Sequence, residues 1–331
     1  MKPLVGIGRN PAVPVHSVIS AADVLEARRQ LVARVARLDP SGEANLMLSG
    51  GVDSATILFA LLEAGRTPHC LTFQVGDRTS NDVRVASSMC QRFGLRHTIV
   101  RIAPDLLRDD VAQVLCMVDW TKVERVKKTI VQCVHPFLYL CRAMTSDMAF
   151  TGIQGDSFFL TDRKSNVARH AHGEEYVWGW RRSYAADPVY SDYHIGDVAQ
   201  RVYGKTLVDV YDWPWWAWWI QHYSTALTNT PKTKWAAVRI FEDYWRKGAW
   251  FREPDRFQIG SGLRELHDTL LRGTRHRAVI AVYNEMARGL GVDIGTNIPP
   301  YTDRGLILAP DGSAYGEPDA DPLKECVRAA S

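Results

Sequence analysis

The chain has 331 residues, of which 46% are hydrophobic and 23% are charged, as expected for a globular protein with a sizeable core. Its 40 basic and 37 acidic residues leave a net charge of +3, so the overall balance gives no argument for a nucleic-acid partner. The sequence lacks a run of roughly 20 apolar residues for a membrane span, a signal peptide and, among its six cysteines, any Cys-x-x-Cys pair for zinc or redox chemistry. These features predict a cytoplasmic protein.

Strands and helices are predicted to alternate along the first half of the chain. A short strand and a proline-containing loop precede a helix over 21–38, whose apolar face is expected to include Leu25. Short buried strands are predicted at 45–48, 70–75, 97–102 and 147–150. Intervening helices are predicted over 52–64, 82–93, 106–117 and 129–144. This alternation predicts an α/β fold with a doubly wound parallel sheet, in which ligands bind at the carboxyl ends of the strands.

The segment LSGGVDSA, residues 48–55, lies between the first buried strand and the helix that follows it. Gly50 and Gly51 allow a tight turn and a close approach of the backbone to a ligand. Free N–H groups at the helix N-terminus favour an anion, the hydroxyls of Ser49 and Ser54 add donors, and Asp53 is suited to hold magnesium. The alternative is a plain junction with a capped helix, but the full Ser-Gly-Gly-x-Asp-Ser pattern in this position favours a phosphate-binding loop.

This motif resembles the PP-loop of the N-type ATP pyrophosphatases, and it is not a Walker A loop. The resemblance implies that ATP is split between its α and β phosphates while AMP is joined to a substrate. It also implies that the loop and the neighbouring strand ends bind the nucleotide. The residues concerned are Leu48, Ser49, Gly50, Gly51, Val52, Asp53, Ser54, Phe73, Val75, Thr151 and Gly152.

A second segment, FTGIQGDSFF over 150–159, resembles a turn in the synthetase domain of asparagine synthetases. Thr151, Gly152 and Asp156 fall on that family's Ser, Gly and Asp. The resemblance therefore implies that Asp53 and Asp156 share magnesium. Between the two motifs, Asp82 and His97 also match the family, but we interpret them as a helix N-cap and a strand-edge residue.

Two departures from that family bear on the acceptor. Ile153 stands where the family has a glutamate thought to assist the incoming amine, and Gln154 stands where it has a glycine. Only about 40 residues precede the PP-loop, which is too few for a glutaminase domain, and Lys2 rather than cysteine follows Met1. We therefore expect ammonia from solution or a partner, or an amine from the substrate.

Other candidate residues lie in the second half of the chain. Lys232 and Lys234 resemble a family lysine that contacts phosphates, but the spacing differs by one residue, so both stay candidates for a cation that offsets charge at the α-phosphate. The tryptophan run at 213–219 is either a buried anchor or a stacking wall for a flat substrate. A basic stretch is either a solvated loop or a cap that closes over phosphates: Arg163, Lys164, Arg169, Arg181 and Arg182.

The sequence thus predicts three parts: an N-terminal strand and helix over 1–40, a PP-loop ATP-binding core over 41–160, and a helical, aromatic-rich substrate side over 161–331. The expected function is that of an ATP- and Mg²⁺-dependent ligase that adenylates a carboxylate or amide oxygen, releases pyrophosphate and joins an amine, without a glutaminase domain. One alternative is a PP-loop enzyme that modifies a nucleobase or nucleoside, alone or in nucleic acid. The other is a nucleotide-binding protein with a degenerate site. The oligomeric state stays open.

Overall fold

The computed structural model describes residues 18–122, 126–159, 161, 169–173, 193–211, 223, 225–251, 257–292, 306–308 and 314–316. Five parallel strands form the central sheet in the order β3-β2-β1-β4-β5. They are β1 (Asn45–Met47), β2 (His69–Val75), β3 (His97–Ile102), β4 (Met148–Thr151) and β5 (Thr206–Asp209). The predicted parallel α/β fold is confirmed.

The strand register places the two sequence motifs side by side. Leu46 of the central strand lies opposite Cys70 of β2 on one side and Phe150 of β4 on the other. All three strands run in the same direction, so the segments that follow β1 and β4 leave the same edge of the sheet. The loop at 48–55 and the turn at 151–156 are therefore neighbours, as expected at the carboxyl edge of such a sheet.

Helices form the connections between the strands and recur among the described residues of the second half of the chain. They are α1 (Ala21–Leu38), α2 (Val52–Glu63), α3 (Asn81–Phe93), α4 (Leu107–Met117), α5 (Lys128–Ala143), α6 (Gly155–Phe159), α7 (Tyr193–Tyr203), α8 (Thr225–Thr228), α9 (Trp235–Ile240), α10 (Glu242–Trp245), α11 (Phe257–Gly260), α12 (Leu263–Asp268) and α13 (Val279–Gly289). Short 3₁₀ turns lie at Pro104–Leu106, Trp120–Lys122 and Thr269–Leu271, and an antiparallel pair is formed by β6 (Leu306–Leu308) and β7 (Ala314–Gly316). Among the residues that the structure describes, no helix combines the length and apolar character that crossing a membrane requires.

The four strands predicted between residues 45 and 150 and the five helices predicted between residues 21 and 144 are confirmed within one residue at each end. Two details were wrong. Leu25 is 64% exposed instead of lying on the buried face of α1, because that face is narrower and consists of Ala27, Leu31 and Val35. Asp82 is not the N-cap of α3, since the Ser80 hydroxyl accepts the cap hydrogen bond from the Val83 N–H. The predicted strand before α1 falls outside the described residues.

Each face of the sheet has its own hydrophobic core. Leu46 and Leu48 belong to the first core, whereas Met47 between them belongs to the second, as the alternation of a strand requires. In the first core, Phe59 of α2 is completely buried and its ring lies 5 to 6.5 Å from a set of aromatic rings: Phe93, Phe241, Tyr244, Trp245 and Trp250. These contacts hold α2, the helix that follows the glycine turn, against α3 and α10.

The second core contains a buried polar network that links four helices. His135 of α5 contacts Asp110 of α4 at 3.0 Å and His267 of α12 at 2.9 Å through its two ring nitrogens. His267 in turn contacts the Tyr283 hydroxyl of α13, and Tyr139 donates to the Asp110 carboxylate at 2.6 Å. Since each polar group finds a partner, the network fixes how the four helices pack.

Candidate active site

The turn between β1 and α2 has the tight geometry expected of a phosphate loop. Gly50 has a φ of +71°, and a Cβ atom there would lie 2.8 Å from the Val85 side chain and 3.0 Å from the Ala86 nitrogen. Only glycine therefore fits at this position. Ser54 of α2 is tied back to the turn, because its hydroxyl accepts from the Ser49 N–H at 3.2 Å and lies 3.1 Å from the Ser49 hydroxyl.

The N-terminus of α2 faces this turn with the polarity that favours an anion. Its N-cap is Gly51, which offers no side chain to hydrogen-bond the first N–H groups of the helix. Those groups and the positive end of the helix dipole are thus available to negatively charged oxygens. Asp53, in the first turn of α2, is held from behind by Tyr211, whose completely buried hydroxyl donates to the Asp53 carbonyl at 3.0 Å.

A buried lysine joins the two motifs. The Lys234 ammonium lies 2.5 Å from Asp53 Oδ2 and 2.5 Å from Asp156 Oδ1. Its side chain is 2% exposed, while those of Asp53 and Asp156 are 20% and 57% exposed. The structure thus brings together three of the four side chains predicted to be catalytic, and it separates the fourth. The Lys232 ammonium lies 4.4 Å from the centre of the Phe251 ring instead.

Burial and the neighbouring charges shift the pKa values of the three groups in this cluster in different directions. Burial raises the pKa of Asp53 to about 6, with repulsion by Asp156 adding to the rise and attraction to Lys234 opposing it. Burial also disfavours ionisation of Asp156, but Lys234 outweighs it and lowers the pKa of that carboxyl. For Lys234, burial lowers the pKa while the two carboxylates raise it by more. The ammonium form is therefore stable in this site despite its burial.

The backbone around the cluster adopts uncommon conformations. Lys234 is the N-cap of α9 with a φ of +59°, and its N–H donates to the Asn229 side chain at 2.8 Å. The same Asn229 amide donates to the Phe159 carbonyl at the end of α6. Gln154 has a φ of +76°, and across the described ranges these two are the non-glycine residues with positive φ. Such strain persists where the surrounding structure imposes it, typically at functional sites.

Two glycines of the second motif allow it to pack directly on the first. A Cβ atom on Gly152 would lie 2.8 Å from the Ser54 nitrogen, and one on Gly155 would lie 2.2 Å from the Asp53 carboxyl carbon. Neither distance is compatible with a larger side chain in this arrangement. Gly155 and the supporting residues Tyr211 and Asn229 are not among the site residues that the sequence predicts.

The remaining predicted residues line the neighbouring strand ends. Leu48, Phe73 and Thr151 are buried, and Val75, at the end of β2, is partly buried in the second core. The tryptophan run at 213–219 falls outside the described residues, as do four members of the basic stretch: Arg163, Lys164, Arg181 and Arg182. Arg169 lies in a short helical segment. His97 begins the edge strand β3, where Thr72 contacts its ring at 2.9 Å, so the strand-edge interpretation is confirmed.

The carboxylates fit a divalent cation of the magnesium type. Asp53 Oδ1 is buried and lacks a hydrogen-bond partner among the described residues, so one carboxylate oxygen of the cluster is unsatisfied. In the same part of the chain, no group of three or more His, Cys, Asp or Glu residues is arranged as a complete metal site. Magnesium commonly takes one or two carboxylates and completes its shell with phosphate oxygens and water, so Asp53 and Asp156 supply a suitable protein share.

An open groove of about 640 Å³ lies beside α3 along the edge of the sheet. Its lining is mainly polar and includes Gln74, Arg84, Ser87 and Arg101. Asp53, Asp156 and Lys234 are not among its lining residues. The charged groups of the two motifs thus converge at the cluster and not in this groove.

Comparison with known proteins gives one match that spans most of the chain. The family model described as asparagine synthase matches residues 26–279, a range that contains the phosphate loop, the second motif and Lys234. The chain is also similar, over shorter stretches, to several 7-cyano-7-deazaguanine synthases. That of Chromohalobacter salexigens is 36% identical over 76 residues, which is 23% of this chain and 30% of the relative.

Two further relatives of the same name give comparable values. The enzyme of Psychromonas ingrahamii is 36% identical over 58 residues, covering 18% of this chain and 26% of the relative. That of Archaeoglobus fulgidus is 38% identical over 61 residues, again covering 18% and 26%. The chain thus matches less than a third of the length of these relatives.

Proposed function

This chain belongs to the asparagine synthase family, an ATP-utilising family of the PP-loop class, and from that premise we propose that it splits ATP into AMP and pyrophosphate to activate an acceptor oxygen. The observation that carries the proposal is the cluster of Asp53, Asp156 and Lys234 beside the glycine turn. It combines an anion-binding helix terminus, a carboxylate pair for a divalent cation and a buried ammonium. These are the groups that a transfer at the α-phosphate requires.

Each residue has a distinct role in this proposal. Gly50 and Gly51 let the backbone approach the β and γ phosphates, and the N–H groups of α2 hold the leaving pyrophosphate. Asp53 and Asp156 would hold magnesium, which neutralises phosphate charge when bound. Lys234 offsets the negative charge that develops on the α-phosphate oxygens as the acceptor oxygen attacks. Catalysis then consists of positioning and charge stabilisation, without a general acid or base from this cluster.

Two acceptor classes fit this reaction, and the relatives favour the nucleobase class. The 7-cyano-7-deazaguanine synthases are named for a product that is an analogue of guanine. We therefore propose an acceptor with a fused-ring heterocycle of the nucleobase type, whose carboxylate or amide oxygen is adenylated and whose AMP is then displaced by ammonia or an amine. The replacement of the family glutamate by Ile153 agrees with an acceptor other than aspartate.

The second candidate is amide formation on a different carboxylate, as in the asparagine synthase family at large. It is favoured by the family match over residues 26–279, which continues well beyond the nucleotide-binding motifs. The two candidates share the adenylation step and differ in the acceptor alone.

The decisive experiment measures AMP and pyrophosphate after the protein is mixed with Mg-ATP, ammonium and a panel of acceptors. The panel contains purine- and deazapurine-type carboxylates and amides, amino acids and simple carboxylates. We expect AMP and pyrophosphate in equal amounts with one acceptor class, and a loss of about 100-fold or more in Asp53→Asn, because a preorganised charge at the reacting phosphate is removed. The matched control is Asp77→Asn, because the side chain of Asp77 is 92% exposed.

Each outcome has a defined meaning. Turnover with the heterocycles supports the nucleobase class, and turnover with amino acids alone supports the second candidate. ADP and phosphate as products would contradict the pyrophosphatase mechanism. Tight ATP binding without turnover for any acceptor would favour a nucleotide-binding protein with a degenerate site.

A further inference from the structure

The position of Lys234 has a consequence for how a metal ion enters the site. Its ammonium contacts one oxygen of each carboxylate at 2.5 Å, which is within a few tenths of an ångström of the 2.0–2.1 Å at which magnesium binds carboxylate oxygens. The lysine thus lies where a shared divalent cation would be coordinated. A buried ammonium and a divalent cation repel each other strongly at such a separation, because little water screens them.

The backbone keeps the lysine in this place. Lys234 adopts the left-handed conformation as the N-cap of α9, and its N–H is bonded to Asn229, which also holds the end of α6. The carboxylates carry two negative charges and the ammonium one positive charge, so the occupied cluster presents a net charge near −1. A net charge near −1 attracts a divalent cation less strongly than the two carboxylates alone would.

We propose that Lys234 acts as an internal counter-ion that closes the Asp53–Asp156 metal site until nucleotide arrives, so that the divalent cation enters together with ATP and not before it. This inference rests on the proposed function in assigning these carboxylates to the metal. The polyphosphate supplies several negative charges at the N-terminus of α2, directly beside the cluster. The flexible lysine stem then lets the ammonium move from the carboxylates to a phosphate oxygen, which frees the two aspartates for the metal.

The test measures divalent-cation binding to the whole chain without nucleotide. Mn²⁺ serves as the probe, since the electron paramagnetic resonance signal of the free ion reports the bound fraction directly. Removing the ammonium in Lys234→Met leaves two unneutralised carboxylates, and we expect Mn²⁺ to bind about tenfold or more tightly than to the unchanged protein, because affinity follows the charge of the ligand set. Lys234→Gln, which keeps a polar group of similar reach, should show the same gain and serves as a second variant in case Lys234→Met folds poorly.

Two controls locate the effect. Lys232→Met removes a lysine two residues away that packs on Phe251, and it should leave Mn²⁺ affinity unchanged. Adding Asp53→Asn to Lys234→Met should abolish the gain. Equal Mn²⁺ affinity of the unchanged protein and both folded Lys234 variants would overturn the proposal, as would a gain that survives Asp53→Asn.

The measurement is independent of turnover. A protein that released no pyrophosphate with any acceptor would still show whether Lys234 excludes the metal. Conversely, active adenylation with metal binding that is indifferent to Lys234 would leave the proposed function standing and reject the counter-ion role.

Discussion

Two side chains of the site stand on backbone that glycine would adopt at lower free energy. Gln154 and Lys234 both have φ values near +60 to +76°, a conformation that costs other residues about 1 kcal/mol or more. At Lys234 the conformation directs the ammonium between Asp53 and Asp156. At Gln154 it forms the turn that lets Gly155 pack against Asp53, at the position where the asparagine synthetase pattern has glycine.

Gln154→Gly should therefore stabilise the protein. The relief of the left-handed conformation is partly offset by the greater freedom of glycine in the unfolded chain, so we expect a net gain of up to about 1 kcal/mol in the free energy of unfolding. Urea unfolding followed by circular dichroism measures it. Gln91→Gly is the matched control, because that exposed position lies inside helix α3 and the same change should cost about 1 kcal/mol. Equal destabilisation by both changes would refute the role of φ at Gln154.

For individual residues, the sequence predicts most members of the candidate site but not how they are arranged in space. The phosphate loop and Asp156 were identified because their residue types and spacing form recognisable patterns. Lys234 could not be separated from Lys232, since a difference of one residue in spacing decides nothing until the left-handed turn at the start of α9 is known. Tyr211 and Asn229 act through contacts with backbone atoms, and such contacts have no signature in a sequence.

Among the elements, the polar network of the second core makes a prediction about pH. Burial, together with the neighbouring His135 and Lys128, lowers the pKa of His267 well below its usual value. Asp110, Tyr139 and Tyr283 also face the network. In the unfolded chain this histidine binds a proton near pH 6.5, whereas in the folded protein it does not. The contribution of neutral His267 to stability is therefore fully present above pH 6.5 and is lost as the pH falls below it.

His267→Gln should remove one of the protons that the chain takes up when it unfolds at acidic pH. The slope of the free energy of unfolding between pH 6.5 and 5 should decrease by about 1.4 kcal/mol per pH unit, while the variant is less stable at pH 8, where a buried hydrogen-bond chain has been interrupted. Part of the slope will remain, since burial also lowers the pKa of His69 and His97. Urea titrations at several pH values test this, and an unchanged slope in the variant would show that His267 is not the group responsible.

Prediction of the elements succeeded where local pattern was strong. The alternation of short apolar runs with amphipathic helices fixed β1 to β4 and α1 to α5, because each strand is bounded by turn residues and each helix carries an apolar face. β5 was not predicted, because Thr206–Asp209 is only four residues long and has no buried face to give an apolar pattern. Its first residue is exposed and the others are only partly buried. It is a strand because β4 offers an open edge for pairing, which is information from the folded sheet and not from the segment itself.

On the scale of the whole molecule, the second half of the chain completes the first. β5 pairs with β4, and the first core includes Val210, Phe241 and Trp245 together with residues of α1, α2 and α3. The division at residue 160 that the sequence predicts stays a prediction, but these contacts indicate that the nucleotide-binding half depends on the second half for its packing.

A chain that ends at residue 160 should therefore lack cooperative folding. It would expose one edge of β4 and leave Phe59 without four of its five aromatic neighbours. The hydrophobic stabilisation lost with that much buried apolar area exceeds the net stability of an ordinary domain. Urea unfolding monitored by circular dichroism and by tryptophan fluorescence measures it. A cooperative transition at the midpoint of the full chain would show instead that residues 1–160 form an independent unit.

The contact between Asp53 and Lys234 joins residues that are 181 positions apart, and this separation matters during synthesis. At about 5 to 20 residues per second, the ribosome makes the phosphate loop roughly 10 to 40 s before it makes the lysine. Throughout that interval, the nascent chain has the loop without the cation assigned to the α-phosphate. Under the role proposed for Lys234, a growing or prematurely terminated polypeptide should not consume ATP wastefully, because the lysine arrives 181 positions after Asp53.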